Sequence, residues 1–295
     1  MKHLLSFDLE EWFHIIDNDA KAVRPETWES RPRRIEVMTD KLLRFLRERK
    51  AKATFFSLGW VAEKYPHLLA RIAADGHEVG CHSQLHRPVW SLSPEAFAED
   101  LRVALDAIEK ACGVRPKAFR APGFSIDGRA LWAFDALARE GIELDSSIYP
   151  GRHNHGGIPG APARPFRIRT SSGAVIREFP ISTCSLLGKR VTFSGGGYFR
   201  ILPLALQRRR FRDFDREGNP VVTYFHPRDF DTEIPDSGLG WLRELKSKIN
   251  VGGAFSKLST LIGEFEMAPL SGVDASVNWQ VAESYSPEEL GNLGR

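Results

Sequence analysis

The chain has few cysteines: three in 295 residues, Cys81, Cys112 and Cys184, far apart in sequence. That spacing excludes a disulfide framework and any paired-cysteine zinc or redox motif, and predicts reduced, mostly buried thiols. It also lacks any unbroken apolar run near 18 residues, so no transmembrane segment is expected. With 42% apolar residues and a mean hydropathy of −0.29, the composition is that of a soluble globular protein. A large excess of one charge is missing too. Forty-one basic residues face 38 acidic ones, a net charge of +3 spread along the chain, which argues against a nucleic-acid partner. The one basic knot, Arg208, Arg209, Arg210 and Arg212, reads as a solvated helix face, with a phosphate or anionic headgroup as the lesser reading. The opening MKHLLSFDLEEW carries acidic groups where a signal peptide would still be apolar, and a cytoplasmic location is the expectation.

What is present is an alternation of short β-prone runs and amphipathic stretches. Strands are expected at His3–Asp8, Lys52–Leu58, His77–Cys81, Lys117–Arg120, Ile142–Asp145, Ala174–Ile181, Pro220–Phe225 and Glu264–Met267. Helices are expected at about 33–50, 61–75 (ended by Gly76), 94–112, 128–140, 203–217 and 254–262. Ser93 before Pro94 is a capped helix start, and Gly113 a helix stop. Residues 150–172 read as a long surface excursion. About eight strands with helices between them predict an α/β fold, a closed or nearly closed parallel barrel in a single domain over residues 1–270. Residues 271–295 show no strong period and are expected to be a C-terminal extension that wraps the surface or is disordered.

Such barrels carry their chemistry at the C-terminal ends of strands. Asp8, His82, Arg120, Asp145 and His226 all fall at or just after predicted strand ends. Asp8 and Glu10, two residues apart on an extended segment, point the same way, whereas Glu11 reads as a helix cap or a solvated group. His82 and His86 are four apart, which lets two imidazoles converge on one ion in a turn or tight loop. His153 and His155 lie in a glycine-rich loop and are expected to be solvated. Trp12, Trp90, Tyr149 and Tyr198, near these strand ends, are candidates to stack on a substrate ring, with core packing as the alternative. Gly195-Gly196-Gly197 is too short for a phosphate loop and predicts close packing of a loop over the site.

The strings FDLE at 7–10, HSQLH at 82–86, RAPG at 120–123, DSS at 145–147 and FHP at 225–227 resemble, in order, the motifs of the polysaccharide deacetylases, carbohydrate esterase family 4. With GGGYFR at 195–200, the chain looks closest to the cell-surface glycan and exopolysaccharide branch. The resemblance implies a distorted (β/α) barrel of seven or eight strands. It also implies removal of N-acetyl groups from an amino sugar that is polymeric, lipid-linked or nucleotide-linked. The cofactor it implies is a divalent metal, foremost Zn2+, with Co2+, Ni2+, Fe2+ or Mn2+ as other options. By position, Asp8 resembles the catalytic base, Glu10, His82 and His86 the metal ligands, Arg120 the arginine that holds the base, Asp145 an orienting carboxylate and His226 the general acid. Asp8 and His226 are expected on opposite sides of the ion. Gly123, Tyr149 and Tyr198 are the substrate-binding candidates, Gly123 through its backbone N–H. The chain departs from the pattern in having Leu9 between its two carboxylates and Ser146, Ser147, Ile148 and Tyr149 where the family has a tryptophan-containing motif.

Three other readings stay open. A related amidase releases formate or opens a small ring with the same groups. A glycoside hydrolase sets Asp8 or Glu10 across a sugar bond from Glu178. A glycan-binding module keeps the metal site without turnover.

Overall fold

The computed structural model describes residues 1–16, 25–186, 189–236, 238 and 240–293. The chain opens on two aligned strands, β1 (His3–Leu4) and β2 (Ser6–Leu9). Successive side chains alternate faces. Leu5, Phe7 and Leu9 join the large cluster beneath the helices, while Leu4 joins a smaller cluster inside the barrel, the face that Ser6, Asp8 and Glu10 share by parity.

Helix α1 (Ile35–Glu48) buries Ile35, Met38, Leu42 and Leu46, the face the spacing predicts. Its first N–H groups, on Arg34 and Ile35, donate to the Glu11 carboxylate at 3.1 and 3.2 Å, so Glu11 is a helix cap reaching in from β2. After β3 (Thr54–Ser57) the single helix expected at 61–75 is two, α2 (Gly59–Lys64) and α3 (Pro66–Ala74). Pro66 has no N–H to continue the first helix and disfavours helical backbone at Tyr65, which sits at φ −133°, ψ 55°. Next come β4 (Glu78–Cys81) and α4 (Pro94–Cys112), capped by Ser93 and stopped by Gly113 at φ +78°. They are followed by β5 (Ala118–Phe119), α5 (Ala133–Arg139) and β6 (Leu144–Asp145).

The expectation of a bare surface excursion at 150–172 is corrected. Ile158 and Ala161 are buried, and β7 (Phe166–Arg169) buries Phe166 and Ile168 while running antiparallel to β8 (Val175–Glu178). A hairpin, β9 (Thr183–Leu186) and β10 (Lys189–Thr192), leads to α6 (Gly196–Ile201) and α7 (Leu204–Arg216). On α7, Arg208 and Arg212 meet Glu264 and Arg210 meets Asp213, so the basic knot is a helix face with carboxylate partners. The chain finishes with α8 (Trp241–Lys248), α9 (Ala254–Glu264), β11 (Met267–Ala268), α10 (Leu270–Asp274), β12 (Ser284–Tyr285) and α11 (Pro287–Asn292). The C-terminal segment is ordered into the fold: β12 pairs parallel with β7, Ser286 caps α11, and Leu290 is buried.

The main sheet runs β12-β7-β8-β6-β5-β4-β3-β2, parallel except at β7 against β8. Residues 221–225 extend it past β2 through parallel bridges at Leu4–Val222 and Phe7–Phe225. The seam between β8 and this last segment is closed by side chains. Ser182 Oγ accepts the Val222 N–H at 2.8 Å, and Ser194 Oγ donates to the Val222 carbonyl at 2.8 Å. Seven parallel segments thus form a distorted barrel whose strand ends gather at one mouth. No helix among the described residues is long and apolar enough to cross a membrane, and all three cysteines are free.

Candidate active site

The parallel bridge at Phe7–Phe225, reinforced by the Asp8 N–H donating to the Phe225 carbonyl at 2.7 Å, sets Asp8 and His226 side by side. His226 Nε2 lies 3.8 Å from Asp8 Oδ2 and 3.6 Å from Glu10 Oε1. These two groups therefore do not face each other across the cluster, as the sequence reading expected. Adjacent strand ends make them neighbours.

Asp8 is buried and accepts a hydrogen bond from Arg120 Nη1 at 2.8 Å. Arg120 is fully buried inside the barrel. Nη1 also donates to Ser6 Oγ at 2.8 Å, Nη2 to Ser146 Oγ at 3.1 Å, and the guanidinium lies 4.2 Å from the Phe56 ring centroid. This holds one cation beside one carboxylate in surroundings that make the pair costly to break.

Asp145 is not where the sequence reading needs it. Leu144 and Phe179 belong to the inner cluster, so Asp145 and its register partner Glu178 point to the outer face, opposite the one that Asp8 shares with Leu4. Asp145 accepts from the Ser147 N–H and hydroxyl at 3.0 and 2.7 Å, and it is Ser146 that shares Arg120's face. Glu178, fully buried, accepts the Ile148 N–H at 3.0 Å. A carboxylate so placed cannot stand across a sugar from Asp8 or Glu10, which removes the glycoside hydrolase geometry. Burial pushes both Asp145 and Glu178 upward, and for Glu178 the neighbouring Asp145 adds to the rise.

Glu10, His82 and His86 each offer a ligand atom, all within 4.8 Å of one another. His82 Nδ1 lies 2.6 Å from the Arg120 carbonyl; as donor there it leaves Nε2 free for an ion. Burial pushes His82 down to about 4, so the ring is neutral near pH 7, the form that ligates metals. His86 Nε2 lies 2.6 Å from Glu10 Oε2, and Arg228 Nη1 2.8 Å from Glu10 Oε1. Neither approach has hydrogen-bond alignment: both Glu10 oxygens are buried polar atoms without a hydrogen-bond partner. Burial pushes the Glu10 carboxyl up, but His86 and Arg228 outweigh it and hold it well below the usual carboxylate range. Two imidazoles and one ionised carboxylate with unsatisfied oxygens are the donor set of a His2Glu catalytic metal site. The residues present fit a divalent ion.

The loop that carries the two histidines is strained. Ser83 and His86 adopt φ of +69° and +55°, each costing of order 1–3 kcal/mol for a residue with a side chain. Fixed contacts hold it: the Gln84 N–H donates to Asp100 at 2.8 Å, and the Gly59 N–H to the Ser83 carbonyl at 2.9 Å.

Several participants escaped the sequence reading. Asp229 Oδ2 lies 3.1 Å from His226 Nδ1 and accepts the His226 N–H at 2.9 Å; the sequence signal is a capping-box spacing of three across Pro227. Burial raises Asp229, yet the His226 hydrogen bond and nearby Arg200 and Arg228 bring it down to about 2. His14, buried against Trp28 and Trp60, stands 6.3 Å from the His86 ring; burial lowers it well below the ordinary histidine value. Ser6 and Ser146 carried no signal beyond strand parity.

The remaining candidates lie farther from the cluster. Gly123, at φ +59°, packs so closely that a Cβ there would come within 2.6 Å of Ile16. His155 also abuts it, and its carbonyl accepts the Trp90 indole N–H at 2.7 Å. His153 and His155 are half-buried rather than solvated, with His153 packed on Tyr149. Tyr149 and Tyr198 line a neighbouring cavity of about 840 Å³. Trp12, Gly196, Gly197 and His226 line one of about 380 Å³, and Gly195 packs directly on Tyr224.

Comparison with known proteins adds family to geometry. Residues 26–141 match the family described as Polysaccharide deacetylase, and residues 146–274, which include His226, match a domain of unknown function, DUF3473. A peptidoglycan-N-acetylglucosamine deacetylase of Bacillus cereus is 32% identical over 96 residues, 32% of this chain and 35% of the relative. A chitooligosaccharide deacetylase of Rhizobium leguminosarum bv. trifolii is 35% identical over 74 residues, 25% of this chain and 34% of the relative. The chain thus spans about a third of the length of these curated relatives. The crystal structure of a polysaccharide deacetylase homologue from Mycobacterium smegmatis superposes over 96% of this chain and 92% of its own, with a TM-score of 0.66 at 20% identity, a likeness of fold. Residues 26–141 thus match the polysaccharide deacetylase family, and the barrel as a whole shares its fold with the Mycobacterium smegmatis protein.

Proposed function

We propose that this protein is a metal-dependent amide hydrolase that removes N-acetyl groups from an amino sugar of a bacterial surface glycan or of its lipid- or nucleotide-linked precursor. The observation that carries the reading is the meeting of Glu10, His82 and His86 with Asp8 and His226 in one cluster. The relatives named for peptidoglycan and chitooligosaccharide deacetylation support the substrate bond.

Glu10, His82 and His86 would hold a divalent ion, Zn2+ foremost, which when bound supplies Lewis-acid polarisation of the amide carbonyl. Asp8, held and aimed by Arg120, takes the proton of the attacking water. His226, its Nδ1 fixed by Asp229, delivers a proton from Nε2 to the departing amine. Asp145 acts at one remove, by holding Ser147, whose hydroxyl in turn accepts the Ala121 N–H next to Arg120 at 2.8 Å.

The test is incubation of zinc-loaded protein with N-acetyl and N-formyl amino sugars, free, polymeric and carrier-linked, with acetate and formate assayed separately. Acetate release that stops on chelation is the expected result. Formate alone would transfer the reading to a deformylase. Silence across every sugar and several metals would leave a glycan-binding module.

A further inference from the structure

The cavity of about 840 Å³ beside the active site is large enough for a sugar and a charged substituent. It adjoins the His226 cavity at Asn154, which lines both. Its floor, Tyr224, stands edge-on to His226 with ring centroids 6.2 Å apart. The electrostatics are one-sided. Arg152 and Arg190 line it and, among the described residues, no carboxylate does. Among the described residues Arg190 Nη1 donates to neutral carbonyls, those of Pro150 at 3.2 Å and Ala161 at 3.4 Å. Arg152 has no hydrogen-bond or ion-pair partner among the described residues. Other surface arginines, Arg102 and Arg129 among them, do have carboxylate partners, Glu99 and Asp127. Tyr149 and the half-exposed Tyr198 complete the wall with ring faces suited to a pyranose.

We propose that this cavity is an anion-selective subsite: it binds a carboxylate or phosphate on the glycan unit next to the N-acetylated sugar, with Arg152 and Arg190 as its recognition groups. A guanidinium fork pairs with the planar or tetrahedral oxygens of either anion, and two of them without a competing carboxylate favour acidic over neutral ligands. His153 contributes no charge near pH 7, because burial lowers it to about 4, so the selectivity belongs to the two arginines. The proposal deepens the deacetylase reading and rests on it for the identity of the neighbouring sugar; the charge preference itself does not depend on turnover.

The experiment is calorimetric binding to the full-length chain of three probes: neutral diacetylchitobiose, a disaccharide of N-acetylglucosamine and glucuronic acid, and UDP-N-acetylglucosamine. At low salt at least one acidic probe should bind about tenfold tighter than the neutral one, and the advantage should shrink in Arg152→Gln and in Arg152→Gln/Arg190→Gln while neutral binding holds. Which acidic probe leads distinguishes a uronate from a carrier phosphate. Because Arg190 also holds two backbone carbonyls, the single Arg152→Gln variant decides the matter should the double variant unfold. Equal binding of neutral and acidic probes by wild type, or a preference unchanged in Arg152→Gln, overturns the subsite. A retained preference alongside silence in every deacetylation assay would overturn the activity and leave the subsite standing.

Discussion

His226 and Asp229 form a closed unit at the barrel mouth: Oδ2 of Asp229 lies 3.1 Å from the ring Nδ1 and also accepts the His226 backbone N–H at 2.9 Å. The carboxylate is itself anchored by Arg200, whose Nε is 3.2 Å from Oδ1. This leaves Nε2 as the working nitrogen, aimed at Asp8 and Glu10.

From that arrangement, Asp229→Asn should lower kcat within the range of about 10²–10⁴-fold that a positioned acid supplies. His226→Ala should fall in the same range, with bound metal unchanged in both. Steady-state kinetics with metal analysis on the same samples checks this, and wild-type kcat in Asp229→Asn would detach the pair from proton transfer.

The paired acids on the outer face give a stability prediction. Glu178 and Asp145 are both raised, so the folded protein retains a proton there at pH values where unfolded carboxyls, near about 4, have lost theirs. The stabilisation is fully present below the unfolded value and drains away as pH climbs through the raised folded one. Glu178→Gln replaces the retained proton with a permanent N–H. As pH climbs from about 4 through the raised folded value, the unfolding free energy of wild type should fall relative to Glu178→Gln, at up to about 1.4 kcal/mol per pH unit while the group titrates. Parallel curves for the two proteins would mean that no proton is retained.

Much of the site was legible because it depends on local parity. Asp8 and Glu10 follow from alternation along β2, and His82 from the end of β4. The same alternation, applied to Leu144 and Asp145, argues that Ser146 is the inward residue, against the motif position that points to Asp145. The break at Tyr65 was equally readable from Pro66. What no local pattern carries is the pairing of residues 221–225 with β2, more than 200 positions away, which makes His226 a neighbour of Asp8 and brings Arg228 to Glu10. Nor could the Gly- and Pro-rich stretch at 150–172 reveal β7, whose strand character comes from its partners β8 and β12.

Arg120 and Asp8 should be strongly coupled. Both are buried and Arg120 has no water to fall back on, so Arg120→Met leaves a stranded carboxylate and should cost about 3–5 kcal/mol in urea unfolding. Adding Asp8→Asn should recover a substantial part of that loss. Additive losses in the double-mutant cycle would show the two groups to be energetically independent. Ser146→Ala, which withdraws the hydroxyl that Arg120 Nη2 reaches, should destabilise by about 1–3 kcal/mol through the donor left unpaired.

Metal binding can be separated from turnover because different carboxylates on β2 and its exit carry the two tasks. Protein stripped with a chelator should gain thermal stability on titration with Zn2+, by about 2.7 kcal/mol when free zinc reaches a hundred times the dissociation constant. Glu10→Gln removes the only carboxylate of the Glu10–His82–His86 group and should flatten that response. Asp8→Asn, whose side chain is engaged by Arg120 rather than by the histidines, should keep the zinc-induced shift while losing acetate release. A scanning-fluorimetry titration of the three proteins, run beside the acetate assay, checks both halves. A full zinc response in Glu10→Gln would remove Glu10 from the ligand set, and full turnover in Asp8→Asn would remove Asp8 as the base.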